Sequence, residues 1–278
     1  MSDKLTQEER LNYLIEKFKE ETSEYENIKI PADVEDKKVL LRSLMNVRAP
    51  KETSLEILKV QNEYLTERNK QKGIVYLKDV KTVKETVTDK HPYSQKISLW
   101  QGDITRLSCD AIVNAANSRM LGCFVPMHTC IDNCIHTFAG VQLRNECNKI
   151  MNEFRNKYGQ NYEQPTAVPI LTSGYNLPAK TVIHIAGPIV NGSLTQTNIQ
   201  DLQNCYKNVL DMCLKNNLKS VDFCCISTGV FAFPNKKAAE IAVETVTNWL
   251  KQNENKIDRI IFNVFKNEDK LLYEQSLR

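Results

Sequence analysis

The stretch GCFVPMHTCIDN sets Cys123, His128 and Cys130 close together in the chain. Two soft sulfur donors and an imidazole at Cys-x4-His-x-Cys spacing make a plausible zinc set. With no obvious fourth ligand nearby, one coordination position stays open, as catalytic zinc requires. The spacing is not that of a zinc finger, and Pro126 stiffens the loop that presents the donors. The same residues also read as two unligated cysteines and a loop histidine, and spacing alone leaves both readings open. Cys134 and His136 follow at once, but a helix starting near Cys130 turns them in other directions, so they read as core or surface.

A second candidate is the run Ile226, Ser227, Thr228, Gly229, Val230, Phe231, directly after an apolar segment from Val221. A small-residue turn between a strand and a helix can wrap a pyrophosphate with backbone N–H groups, helped by the helix dipole. It is neither a Walker A loop nor a GxGxxG fingerprint, and a plain strand-to-helix turn fits as well. Asp103 with Ile104, after ISLW, and Asn114 and Asn117, after a strand ending at Val113, form a third group. A carboxylate can accept from an exocyclic amine, and an amide can fix a hydroxyl, but both also make turns and caps. Asp132 is available as a base, although its place at a helix start favours capping. His184, in TVIHIAGP, has apolar neighbours on both sides and reads as a satisfied core histidine.

The scaffold for these residues is written in the rest of the chain. Thr6 with Glu9 fits a capping box, and Leu11, Leu14, Ile15 and Phe18 come after it at helical spacing. A second helix runs from near Asp33 to before Pro50, and a third from near Ser54 to Gly73. Residues 1–73 therefore read as a helical extension whose apolar stripes need burial, most simply as a cap on the larger C-terminal part. From residue 74 to 278, β-rich runs begin at Ile97, Ala111, Val182, Val221 and Ile260 and alternate with helical stretches. That order predicts a three-layer α/β domain with a mainly parallel central sheet, its ligand beyond the carboxyl ends of the strands.

The 278 residues carry 37 Lys and Arg against 34 Asp and Glu, too small a surplus to suggest nucleic acid or a polybasic membrane anchor. No apolar run approaches the about 18 residues of a membrane span, and the opening residues are charged rather than signal-like. Nine cysteines, an odd number, without an export signal lead to the expectation of reduced thiols in the cytoplasm.

Taken together these segments resemble a known family. LWQGDITRLSCDAIVNAAN resembles the opening of a macrodomain, and CCISTGVFAFPNKKAAEIA its phosphate loop and following helix. MLGCFVPMHTCIDNCIHTFAGVQLRNEC is similar to the zinc-dependent macrodomains, the class found beside sirtuin-type ADP-ribosyltransferases in some bacteria and in some fungi. The likeness runs from about Gly73 to the C-terminus, including YNLP at 175–178, and the helical extension resembles the one that class carries.

The resemblance implies a macrodomain fold that holds ADP-ribose and a zinc-dependent hydrolase acting on mono-ADP-ribosylated protein, most simply at Asp or Glu ester linkages. It implies Asp103 as acceptor for the adenine amine with Ile104 beside it, and Asn114 and Asn117 near the distal ribose. It also implies Ser227, Thr228, Gly229, Val230 and Phe231 around the diphosphate, and Cys123, His128 and Cys130 on zinc. A non-catalytic ADP-ribose reader and an O-acetyl-ADP-ribose deacetylase are the alternatives. The sequence departs from the family pattern where Ala232 and Ala167 replace glycines and Pro169 replaces a lysine.

Overall fold

The computed structural model describes residues 5–278, so residues 1–4 of the expected extension lie outside the described residues. The chain begins with helices α1 (Gln7–Glu20), α2 (Ser23–Glu26), α3 (Val34–Val47) and α4 (Leu55–Lys72). The starts of α1, α3 and α4 are where hydrogen-bonding side chains satisfy free N–H groups. Thr6 and Glu9 form the reciprocal box, Asp33 accepts from Glu35 and Asp36, and Ser54 accepts from Ile57. Gly73 ends α4 at φ +82°, in the left-handed region that glycine enters without strain.

The remainder runs β1 (Val75–Tyr76), α5 (Val83–Thr86), β2 (Ile97–Gln101), β3 (Leu107–Ser108), β4 (Ala111–Ala116), α6 (Ile131–Ala139) and α7 (Val141–Tyr158). It continues β5 (Ile170–Ser173), β6 (Thr181–Ala186), α8 (Gln196–Lys215), β7 (Ser220–Phe223), α9 (Asn235–Asn253), β8 (Arg259–Val264) and α10 (Asn267–Ser276). Six strands form one sheet in the order β2-β8-β7-β4-β6-β5, parallel except for β5 against β6, while β1 and β3 pair separately.

The two helical layers follow from the alternation of side chains along the strands. Ile112 lies opposite Asp222, so Val113 and Phe223 share a face, and Phe223 packs on Tyr206 of α8. Asn114 points to the other face and meets Asp132 of α6. The expected three-layer α/β domain is what the chain forms.

Four local differences have physical causes. β4 continues to Ala116 because the Asn114 side chain finds buried partners and need not leave the sheet. β7 stops at Phe223, short of the expected Ile226, as the chain turns into the 226–233 loop. The helical stretch from Ile131 divides at Gly140, φ +97°, where a Cβ would stand 2.6 Å from Gln61 Nε2 of α4. β5 and α10 were not expected: β5 is a four-residue edge strand directly after Pro169.

The extension is packed onto the α/β domain. Leu11, Leu14, Ile15, Leu41 and Leu65 are buried in one cluster that also takes in Val141 of α7. Gln61 Oε1 accepts from Val141 N at 3.0 Å, and Asn69 Nδ2 donates to Asn176 O at 2.6 Å. No helix among the described residues is long and apolar enough to cross a membrane.

Candidate functional site

The loop between β4 and α6 carries the three metal-type donors. Their ligand atoms all lie within 4.8 Å of one another, and Cys123 Sγ is 3.5 Å from His128 Nδ1. A tetrahedral zinc with Zn–S about 2.3 Å and Zn–N about 2.05 Å would hold such a pair about 3.6 Å apart, so the residues present fit the ion. Cys130 also caps α6, its Sγ accepting from Asn133 N at 3.4 Å. Burial, with Cys123 and Asp132 nearby, pushes its thiol up to about 12. Binding a metal there therefore releases a proton.

The loop has almost no regular structure of its own and is tied down by side chains. Asn133 Nδ2 donates to Cys123 O at 3.3 Å and Val125 O at 3.0 Å. Arg144 Nε, from α7, donates to Leu121 O at 2.8 Å. From α3, Arg42 Nη2 reaches His128 O at 2.8 Å and Asn133 Oδ1 at 3.0 Å, and Asn46 Oδ1 accepts from Met127 N at 3.0 Å. Sequence reasoning missed Arg42, Asn46 and Arg144, because nothing in their local spacing marks them as supports of a loop elsewhere in the chain. It also missed Asn133, which adjoins the loop but reads as one more residue of the helix start.

Beneath the loop sits a buried polar network. Asn114, fully buried on β4, donates through Nδ2 to Asp132 Oδ1 at 2.8 Å and to His184 Nδ1 at 3.0 Å. That fixes the proton of His184 on Nε2, which faces Thr172 Oγ1 at 2.9 Å. His184 is therefore a satisfied core histidine, with burial holding its imidazole down near about 3. Asp132 does not cap α6, since Cys130 does. Its buried carboxyl instead joins Asn114 to Asn117, whose Nδ2 lies 3.4 Å from Asp132 Oδ2. Burial raises Asp132 to about 6, against the lowering by the Asn114 hydrogen bond.

His136 is also core. Its Nε2 is 3.5 Å from Asp132 Oδ1 without hydrogen-bond alignment, and burial, with His184 beside it, holds the ring neutral. His136, Cys147 and His184 form a second donor group. There, however, both His184 nitrogens already have protein partners, Asn114 on Nδ1 and Thr172 on Nε2.

The loop leaving β7 is built by its own backbone. Phe233 N donates to Ser227 O and Ala232 N to Gly229 O, each at 3.0 Å, and Thr228 Oγ1 donates to Cys225 O at 3.0 Å. Ser227 is buried against Gly187, where a Cβ would stand 2.1 Å from its Oγ, while Gly229 and Val230 are exposed and Phe231 half-buried. Ser227 and Ala232 have φ of +65° and +54°, and Ala167 has +62°. Both alanines that replace family glycines therefore stand in the left-handed region.

Asp103 is half-buried after β2, its Oδ1 accepting from Thr105 N and Oγ1, with Lys72 Nζ of α4 3.8 Å from Oδ2. Ile104 follows it, buried in a short 3-10 turn. Asp103, Asn117, the Cys–His–Cys loop and the 226–233 loop thus all leave the carboxyl ends of parallel strands, where doubly wound sheets bind ligands.

Residues 113–242 match the Macro domain family. The chain is 49% identical over 271 residues to a protein-ADP-ribose hydrolase of Treponema medium, covering 98% of this chain and 99% of that one. It is 42% identical over 268 residues to a Staphylococcus aureus protein of the same name, covering 96% and 94%. Among solved structures, the Trypanosoma brucei macrodomain in complex with ADP-ribose superimposes with a TM-score of 0.62 at 28% identity, covering 85% of this chain and 95% of that one. A relative this similar over nearly its whole length, together with the sheet order and the two loops at its ligand-binding edge, means that this chain belongs to the macro domain family, among the protein-ADP-ribose hydrolases.

Proposed function

We propose that the protein is a zinc-dependent hydrolase that removes mono-ADP-ribose from modified proteins, at ester linkages to Asp or Glu. The observation that carries this reading is the Cys123–His128–Cys130 set, three zinc-type donors within 4.8 Å at the edge that also presents the 226–233 loop. Cys123, His128 and Cys130 would hold a zinc ion, which would supply Lewis-acid chemistry toward a ribose or ester oxygen.

The chain's own residues do the rest. Backbone N–H groups of Gly229 to Phe231 wrap the diphosphate. Asp103 offers Oδ2 to the adenine amine, since Thr105 occupies Oδ1 and Lys72 Nζ stands 3.8 Å away, beyond hydrogen-bond distance. Asn117 orients the distal ribose, and Asp132 orients Asn117 from below through the 3.4 Å contact. Asn114, fully buried, acts by holding Asp132 rather than by touching the sugar. An ester to a carboxylate side chain is the easiest linkage to cleave because the carboxylate leaves readily.

The test is zinc content by elemental analysis, with hydrolysis of an aspartyl- or glutamyl-ADP-ribosylated protein measured on wild type and His128→Ala. Near-stoichiometric zinc, with activity lost in a folded variant, is the expected result. Metal-free protein that binds ADP-ribose and releases none would leave a reader. Parallel assay of O-acetyl-ADP-ribose separates the two hydrolase chemistries.

A further inference from the structure

We infer that Arg42 and Asn46, on α3 of the helical extension, are positioning residues for the Cys123–His128–Cys130 donor set. This deepens the zinc reading proposed above and rests on it for its metal readout.

Between Leu121 and Cys130 the chain makes one backbone hydrogen bond of its own, His128 N to Val125 O at 3.2 Å. Cys130 is also held by the backbone of α6, where Cys134 N donates to its carbonyl at 3.1 Å, and the remaining hydrogen bonds that fix Cys123 and His128 come from side chains. Arg42 Nη2 bridges two parts of the site, donating to the carbonyl of the ligand His128 at 2.8 Å and to Asn133 Oδ1 at 3.0 Å. With Oδ1 so held, the Asn133 amide presents Nδ2 to the carbonyls of Cys123 and Val125. One guanidinium nitrogen therefore sets two of the three ligands.

Asn46 is buried and committed at both ends: Oδ1 accepts from Met127 N at 3.0 Å, and Nδ2 donates to Thr137 Oγ1 at 2.7 Å. Met127, the residue before His128, has φ +57°, a conformation a methionine keeps only where its surroundings hold it. The extension thus forms a wall of the site as well as covering the domain. Partners behind metal ligands commonly change metal affinity 10–100-fold when removed.

The test uses the full chain with Arg42→Met, Arg42→Lys, Asn46→Ala and, as a control, Leu14→Ala, which loosens the extension core away from the loop. Zinc affinity is measured by chelator competition where all variants are folded by circular dichroism. Amide exchange at Met127 and His128 is followed in the metal-free protein. Arg42→Met and Asn46→Ala are expected to weaken zinc binding about 10-fold or more. Arg42→Lys, which keeps a donor for both acceptors, should recover most of that. Leu14→Ala should lower the melting temperature and leave zinc affinity unchanged.

Where the wild type binds zinc, affinity decides. Wild-type affinity in Arg42→Met and Asn46→Ala, or an equal loss in Leu14→Ala, overturns the assignment. Where the wild type takes no zinc, the metal reading fails and amide exchange decides. Faster exchange at Met127 and His128 in Arg42→Met and Asn46→Ala alone then supports the positioning role, and unchanged exchange overturns it.

Discussion

The loop after β7 and the loop after β4 meet at the same edge of the sheet but are held in opposite ways. The first is closed mainly by its own backbone, with Phe233 bonded to Ser227 and Ala232 to Gly229, partners only a few residues apart, and one outside bond from Val190 N to Phe231 O. The second hangs on Arg42, Asn46 and Arg144, from helices distant in the chain. A loop shaped by its own turns carries its geometry in a short motif. A loop shaped by remote side chains owes its geometry to the packing of other elements, and its motif states only the donors.

If the two loops work separately, the largest effect comes from the donors. His128→Ala should cut release of ADP-ribose from a modified protein by on the order of 100-fold or more, since a metal contributes several kcal/mol to such steps. Calorimetric affinity for ADP-ribose itself should stay within about threefold. A parallel collapse of affinity would show that the loops are coupled.

A second test concerns β7, which feeds the self-closing loop. Asp222 is fully buried with both carboxyl oxygens unpartnered, and burial raises its pKa well above 3.8. Below that pH both folded and unfolded chains are protonated. As pH rises through it only the unfolded chain ionises, so stability falls by up to about 1.4 kcal/mol per pH unit until the folded carboxyl also ionises. Asp222→Asn should remove that slope, read by denaturant titrations at pH 5, 6 and 7, with zinc content unchanged. An identical slope in the variant would place the charge burden elsewhere.

Gly187→Ala acts on the first loop alone, because its Cβ would meet Ser227 Oγ at 2.1 Å. Overpacking of this kind costs about 1–3 kcal/mol. ADP-ribose binding should weaken while zinc binding is untouched. The smallest effect is at Ala232, φ +54°. Glycine there relieves a left-handed strain of about 1–2 kcal/mol and adds about 0.4–1 kcal/mol of unfolded-state freedom, so Ala232→Gly should stabilise by about 0.5–1 kcal/mol in thermal melts.

The parts of the molecule legible in the sequence are those fixed by neighbours along the chain. Thr6, Asp33 and Ser54 mark helix starts because a side-chain oxygen reaches N–H groups two or three residues on, and Gly73 marks an end. Asn114 shows the limit. Read as part of a turn beyond the strand, it lies inside β4, because partners on α6 and β6 satisfy it, and no local pattern reveals them. Asp132 looks like a cap by position, yet Cys130 takes that bond and frees the carboxylate for Asn114 and Asn117. β5 is hidden because a four-residue edge strand after a proline carries too short a pattern. For Asp103, the resemblance points to the residue and the fold adds Lys72, brought alongside by α4.

The contacts from α3 to the Cys–His–Cys loop also bear on the order in which the molecule assembles and fails. Arg42 and His128 O are 86 residues apart in sequence, and Asn46 and Met127 81. Contacts so far apart in sequence form slowly, because a long loop must be closed before they are made. The supports of the donor set therefore depend on long-range contacts between the extension and the loop. The same dependence runs in reverse on heating. Local opening of the contact between α3 and α6 would release the loop from Arg42 and Asn46, while the β7 loop keeps the bonds it makes within itself.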